Sequence, residues 1–180
     1  MIYAMLANGF EEIEALTFVD ILRRSDIEIK TVSIYDEKNV TGAHGISVAA
    51  DYTIKEIAIG NADGIYLPGG MPGTTNLMEN KILCDTLVEF GKAGKYLIAI
   101  CAAPMILGEL GLLRGKMATC YPSFEKYLHE AVCTDDDVCV AKNILTSRGA
   151  GTAHELAFRF VEICKGKECA LNLKDAMQYR

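Results

Sequence analysis

The chain has 180 residues, 51% hydrophobic and 23% charged, enough apolar mass for one core but too short for two ordinary domains, so residues 1–180 read as one domain. Eighteen Lys and Arg against 24 Asp and Glu leave a net charge of -6, and Arg23-Arg24 is the longest basic run, so a nucleic-acid partner is not expected. The longest apolar run, Tyr96 to Leu107, is about half of the ~20 residues that a membrane span needs and contains Pro104, so no membrane partner is expected either.

The opening Met1-Ile2-Tyr3-Ala4-Met5-Leu6 carries no basic leader region and the chain turns acidic at Glu11, which reads as a cytoplasmic protein. Ile2 to Leu6 predicts a strand ended by Asn8-Gly9. Glu12 to Arg24 then predicts a helix, with Ile13, Leu16, Val19 and Leu22 at helical spacing. Ile27 to Tyr35 reads as a strand, and Val40 to Val48 as a hairpin or edge excursion after the turn at Asp36 to Asn39. A second unit follows: strand Asp63 to Leu67, helix Asn80 to Ala93, and a buried strand Tyr96 to Ile100 leading into helix Ala103 to Leu112. Met117 to Cys120 predicts another strand, Asp135-Asp136-Asp137 a hairpin turn, and Ile144 to Ser147 a strand before helix 152–164. Strands alternating with helices of this length imply right-handed crossovers and a mostly parallel sheet covered on both faces, a three-layer α/β/α sandwich.

Chemistry in such sheets collects beyond the carboxyl ends of the strands. At Ala99-Ile100-Cys101-Ala102-Ala103 a buried strand turns directly into a helix, and the small residues two positions either side suit a nucleophile elbow. Cys101 is therefore either a nucleophile, its thiol made more acidic by a helix N-terminus, or a structural cysteine. Leu67-Pro68-Gly69-Gly70 is either a tight turn or, through the Gly70 N–H acting with that of Ala102, an oxyanion hole. Glu11 and Glu12 are explained by the helix dipole, whereas Glu14 has two readings, solvent-facing or turned inward as a protonated carboxyl beside the thiolate. Thr152 after Gly149-Ala150-Gly151 reads as a helix cap. The seven cysteines show no C-x-x-C pair and mostly sit in apolar company as buried hydrophobes. His44, His129 and His154 are scattered, so no metal site is expected.

Taken together and in order, Gly9-Phe10-Glu11-Glu12-Ile13-Glu14, Leu67-Pro68-Gly69-Gly70, Ala99-Ile100-Cys101-Ala102-Ala103-Pro104 and Thr146-Ser147-Arg148-Gly149 resemble the ThiJ/PfpI superfamily over nearly the whole chain. Within it the chain is most similar to the branch of the Parkinson-disease-associated deglycase. Ala102 stands where the protease-like and chaperone-glyoxalase branches place a triad histidine, which speaks against a peptidase. The resemblance implies a flavodoxin-like sandwich, usually a homodimer with the Glu14 helix and the His44 segment near the interface. It also implies a reactive Cys101 hydrogen-bonded to a protonated Glu14. The activity implied is that of a glyoxalase or deglycase of the oxidative-stress type, acting on methylglyoxal, glyoxal or their early protein adducts without metal or other cofactor. A redox-sensing or chaperone-like protein built on the same oxidisable cysteine is the alternative. Tyr121 occupies the place of a histidine beside the substrate in that branch.

Overall fold

The computed structural model describes residues 1–180. The strands in chain order are β1 (Ile2–Leu6), β2 (Ile29–Ser33), β3 (Asn39–Thr41), β4 (Ser47–Ala49), β5 (Tyr52–Thr53), β6 (Gly64–Leu67), β7 (Tyr96–Ile100), β8 (Met117–Ala118), β9 (Val132–Cys133), β10 (Val138–Ala141) and β11 (Ile144–Ser147). The helices are α1 (Glu12–Arg24), α2 (Gly73–Glu79), α3 (Lys81–Ala93), α4 (Pro104–Glu109), α5 (Ala153–Lys165) and α6 (Lys167–Ala176).

Successive residues of a strand face opposite sides of the sheet, and here both sides are apolar. Tyr3, Met5, Ile65, Leu67, Leu97 and Ala99 point into a cluster shared with α2, α3 and α4 through Leu77, Leu83, Leu87, Phe90 and Ile106. Ile2, Ala4, Tyr66, Ile98, Ile100 and Leu145 point the other way, against Phe18, Ile21 and Leu22 of α1 and Leu156, Phe160 and Val161 of α5. The sheet between them has seven strands in the order β10-β11-β7-β6-β1-β2-β5, parallel except for the edge strand β10. The sandwich read from the sequence is this architecture. Because β2 and β6 flank β1 on opposite sides, the chain winds outward both ways from β1, and the crevice at this reversal is where ligands bind in open α/β sheets.

Several local expectations are corrected. Helix α1 forms over the expected residues, but its buried face is Glu14, Ala15, Phe18, Ile21 and Leu22, while Ile13 (54% exposed) and Leu16 (39%) face outward. Spacing alone allowed two overlapping apolar stripes, and the aromatic one docks. Phe18 stacks on Tyr66 with ring centroids 4.0 Å apart. Strand β8 covers only Met117–Ala118 and pairs with β9 in a separate two-stranded sheet. The Asp135–Asp137 run does not turn a hairpin, because β9 and β10 pair with different partners; the β10–β11 hairpin turns at Lys142-Asn143, Lys142 being left-handed at φ 60°. Helix α4 stops at Glu109. The expected excursion at Val40 to Val48 is the β3–β4 hairpin.

Helices α2 and α6 and the edge strand β5 were not expected from the sequence. Helix α6 docks on α5 through Cys169, Ala170 and Leu173, with Lys174 bonded to Glu155 at 3.2 Å and lying over the Phe158 ring. No helix is long and apolar enough to cross a membrane.

The Phe18–Tyr66 stack gives the fold a direct test. Phe18→Ala is expected to lower stability by about 3–5 kcal/mol, read as a shift in the urea midpoint with an unchanged slope.

Candidate functional site

Three strand ends converge at the reversal. Strand β7 ends in Cys101, whose φ of 63° is left-handed and costs a residue bearing a side chain ~1–2 kcal/mol. Main-chain bonds on both sides hold that bend: the Cys101 N–H donates to the Ser147 carbonyl at 2.9 Å, and the Tyr121 N–H donates to the Cys101 carbonyl at 2.8 Å. Ala99, Ala102 and Ala103 are buried around the bend, and Pro104 opens α4. The helix dipole expected to make the thiol more acidic is not supplied here. Helix α4 has only six residues and starts three positions later, so the groups that act on the sulfur are the individual N–H groups of Ala102 and Gly70.

Glu14 enters from α1 and is fully buried, as the inward reading required. The Gly69 N–H donates to Glu14 Oε2 at 2.8 Å, and the Tyr66 hydroxyl fixes the turn of helix behind it by donating to the Glu14 carbonyl at 2.9 Å. Glu14 Oε1 has no hydrogen-bond partner, and the carboxyl lies close enough to the Cys101 thiol for the two to interact. Gly69 makes the approach possible, since a Cβ there would stand 2.6 Å from Cys101 Cβ and 2.7 Å from Glu14 Oε2. The sequence reading singled out Gly70 and passed over Gly69, although the Gly-Gly doublet was its available signal.

Burial pushes the Glu14 carboxyl up to about 7, against the opposing bond from Gly69. Burial, together with a charged Glu14 alongside, pushes the Cys101 thiol up to about 12, while the N–H groups of Ala102 and Gly70 pull it down. The two groups therefore do not ionise together. A charged Glu14 holds the proton on the thiol, and protonating Glu14 removes that repulsion.

Tyr121 lies beside the elbow through its backbone bond to Cys101, with its ring half exposed and packed near Gly149 and Phe124. Thr152 does not cap α5 with its side chain; its hydroxyl donates to the Gly149 carbonyl at 2.9 Å and meets the Ser147 hydroxyl at 2.7 Å, tightening the loop after β11. Only Cys120 and Cys139 are buried cysteines, while Cys133 and Cys164 are exposed, so the expectation of mostly buried thiols fails. His154 stacks on Tyr179 far along the chain, but His44 is not isolated: its Nδ1 lies 2.8 Å from Glu12 and 3.6 Å from Glu11. Burial opposes ionisation of Glu12, yet bonds from His44 and from backbone N–H groups hold its carboxyl below the ordinary value.

A parallel sandwich with strand order reversing at β1, a thiol on a left-handed strand-to-helix corner and a buried carboxyl beside it define a flavodoxin-like protein with a cysteine at a strand-to-helix elbow. The chain belongs to the DJ-1/PfpI family, whose profile matches residues 1–163. Protein DJ-1 homolog B of Arabidopsis thaliana is 37% identical over 177 residues, 97% of this chain, and the chain spans 40% of that longer protein. The glutathione-independent glyoxalase DJR-1.2 of Caenorhabditis elegans is 31% identical over 160 residues, 88% of this chain and 84% of that one. Among solved structures, oxidized Toxoplasma gondii DJ-1 superposes with a TM-score of 0.94 at 34% identity, covering 99% of this chain and 97% of its own.

The buried carboxyl sets a pH dependence. Its folded pKa of about 7 lies above the ordinary 4.5, so the neutral form is the one that folding favours. Stability is expected to be full below pH 4.5 and to fall by up to roughly 3 kcal/mol as pH rises through about 7. Glu14→Gln should lack this decline when urea unfolding is followed over pH; an identical decline in both proteins would place the ionisation elsewhere.

Proposed function

We propose that the chain is a cysteine-dependent glyoxalase acting on methylglyoxal, glyoxal and related small dicarbonyls, with Cys101 as nucleophile and Glu14 as proton carrier. The observation that carries this reading is the convergence on one sulfur of two main-chain N–H groups and a buried carboxyl raised to about 7. The C. elegans relative named as a glutathione-independent glyoxalase supports it.

In this mechanism the Cys101 thiolate adds to the aldehyde carbon and forms a C–S bond. The former carbonyl oxygen takes up negative charge, which the Gly70 and Ala102 N–H groups stabilise, and then takes the Glu14 proton, leaving a carboxylate. The resulting hemithioacetal loses its C–H proton to the Glu14 carboxylate so formed, the hydroxyl proton passes to the neighbouring oxygen of the enediolate, and Glu14 returns its proton to the adjacent carbon. The product is a thioester, and water cleaves it to the hydroxy acid and frees the thiol. Methylglyoxal plus water thus becomes lactate with no net oxidation, so no redox cofactor is consumed. Tyr121, joined to the elbow by its backbone bond to Cys101, is the residue assigned to substrate contact in this reading. Early glycation adducts of proteins carry the same carbon skeleton and are the second substrate class for the same thiol.

The oxidized state of the T. gondii structure favours a second reading, in which Cys101 is a peroxide sensor. There the thiolate attacks a peroxide oxygen, the O–O bond breaks, and a sulfenate and water form. The two readings part at Glu14, because an amide can donate a hydrogen bond to sulfur but cannot carry a proton between carbons. Purified protein given methylglyoxal is expected to release lactate, Cys101→Ser to fall to background, and Glu14→Gln to lose roughly 10²–10⁴-fold. Lactate release undiminished in Cys101→Ser would end the glyoxalase reading. Full turnover in Glu14→Gln would remove Glu14 from it.

We further propose a homodimer through α1 and the β3–β4 hairpin. Ile13 and Leu16 are large apolar residues left outside the core on the same helix, and Ile46 (55% exposed) stands close by, its N–H 3.4 Å from Glu12 Oε1. The seven free thiols fit a reducing cytoplasmic compartment. Sedimentation should show a dimer that the double substitution Ile13→Glu and Leu16→Glu converts to a folded monomer.

A further inference from the structure

Between β6 and α2 the chain runs Pro68-Gly69-Gly70-Met71-Pro72-Gly73, and the Gly70 N–H within it acts on the Cys101 sulfur. Main-chain bonds hold this loop along its length. The Gly69 carbonyl accepts the Glu11 N–H at 2.9 Å, the Gly70 carbonyl accepts the N–H and the hydroxyl of Thr74, each at 2.9 Å, and the Gly73 N–H donates to the Gly9 carbonyl at 3.2 Å. A Cβ at position 70 would stand 2.4 Å from the Glu11 nitrogen, and one at position 73 would stand 2.6 Å from that of Phe10, so close packing admits no side chain at either. Met71 is the one flexible side chain in the loop, and it is 49% exposed one residue away from an N–H group at the sulfur. Strands β6 and β11 flank β7 on opposite sides. On the β11 side Tyr121, 50% exposed, is tied to the Cys101 carbonyl through its own N–H, so an exposed apolar residue adjoins the elbow on either flank.

We propose that Met71 is a specificity-determining residue of the Cys101 site: with Tyr121 it forms an apolar wall for the substituent on the substrate's second carbon, so that α-oxo aldehydes bearing an aryl or other apolar group are favoured over glyoxal. The substrate class rests on the glyoxalase reading, whereas the apolar wall beside the sulfur does not. The carbonyl under attack already has its partners in the Gly70 and Ala102 N–H groups and in Glu14, and these leave the far end of the substrate to neighbouring side chains. An unbranched thioether suits that task, because its rotatable bonds adapt to substituents of different shape and its polarizable sulfur packs well against aromatic rings. The anchored glycines on either side keep the backbone of this wall fixed while the side chain adapts. Apolar area taken from water against Met71 then separates phenyl from methyl and methyl from hydrogen.

The test compares kcat/KM for glyoxal, methylglyoxal and phenylglyoxal in the full chain and in Met71→Ser, Met71→Leu and Tyr121→Ser. Phenylglyoxal should exceed glyoxal in the unsubstituted chain. In Met71→Ser the phenylglyoxal-to-glyoxal ratio should fall at least roughly fivefold, which corresponds to about 40 Å² of lost apolar contact, and Met71→Leu should keep most of it. A second assay needs no turnover. Cys101 displaces iodide from iodoacetamide or from its N-phenyl analogue, the sulfur–carbon bond forming as the carbon–iodine bond breaks, and the extent is read on the Cys101 peptide alone. The ratio of the two alkylation rates should fall in Met71→Ser and hold in Met71→Leu. Failure of all three glyoxals to turn over would end the glyoxalase reading and with it the substrate class, and the alkylation ratio would still decide whether Met71 forms the wall. Ratios unchanged in Met71→Ser, ratios lowered equally by Ser and Leu, or a fall confined to Tyr121→Ser would overturn the proposal.

Discussion

The rest of the site depends on one constraint: a carboxyl is buried against a thiol in a space that a single methyl group at position 69 would fill. Two such acids in low dielectric cannot both be charged, because each additional anion meets the first without water to screen it. Glu14 and Cys101 therefore form a unit in which the proton on one decides the charge on the other. Cys120 is likewise pushed up to about 12, chiefly by burial, without a buried carboxyl alongside.

The sandwich delivers this unit because its parallel strands all end on one edge. Residues that leave β1, β6 and β7 at adjacent positions reach the same crevice from three directions: Glu14 by way of α1, Gly69 and Gly70 directly, and Cys101 at the elbow. The two apolar clusters on either side of the sheet leave these strands little freedom to slide, since a one-residue shift would exchange the sets of side chains facing each helix layer. Core packing thus sets the relative positions of the reacting groups.

Much of this could be read in the sequence. The central strands are continuous apolar runs, and Gly-Gly, Cys101 and Glu14 stand at or just beyond their ends, so fold class and strand-end chemistry followed from local pattern. What escaped was whatever long-range contact decides. The docking face of α1 depends on Tyr66 offering a stacking surface to Phe18, and no periodicity within α1 records that preference. Strand β8 is indistinguishable by composition from a sheet strand, yet its partner is β9. Helix α6 gains its place from a few side chains meeting α5. The meeting of His44 with Glu11 and Glu12 across the β3–β4 excursion was invisible for the same reason, since spacing in the chain carries no information about a hairpin folding back onto the start of a helix.

The left-handed backbone at Cys101 sets stability against chemistry within one residue. Glycine would occupy that corner without the steric penalty, so the ancestral problem for this fold is retention of a side chain where the scaffold alone prefers none. A lineage freed from the need for the thiol should drift towards glycine there and become sturdier as it does so. Selection for thermal robustness in the laboratory, applied without a screen for activity, would push the same way. The corner thus carries a standing steric cost for any side chain, which only glycine would escape.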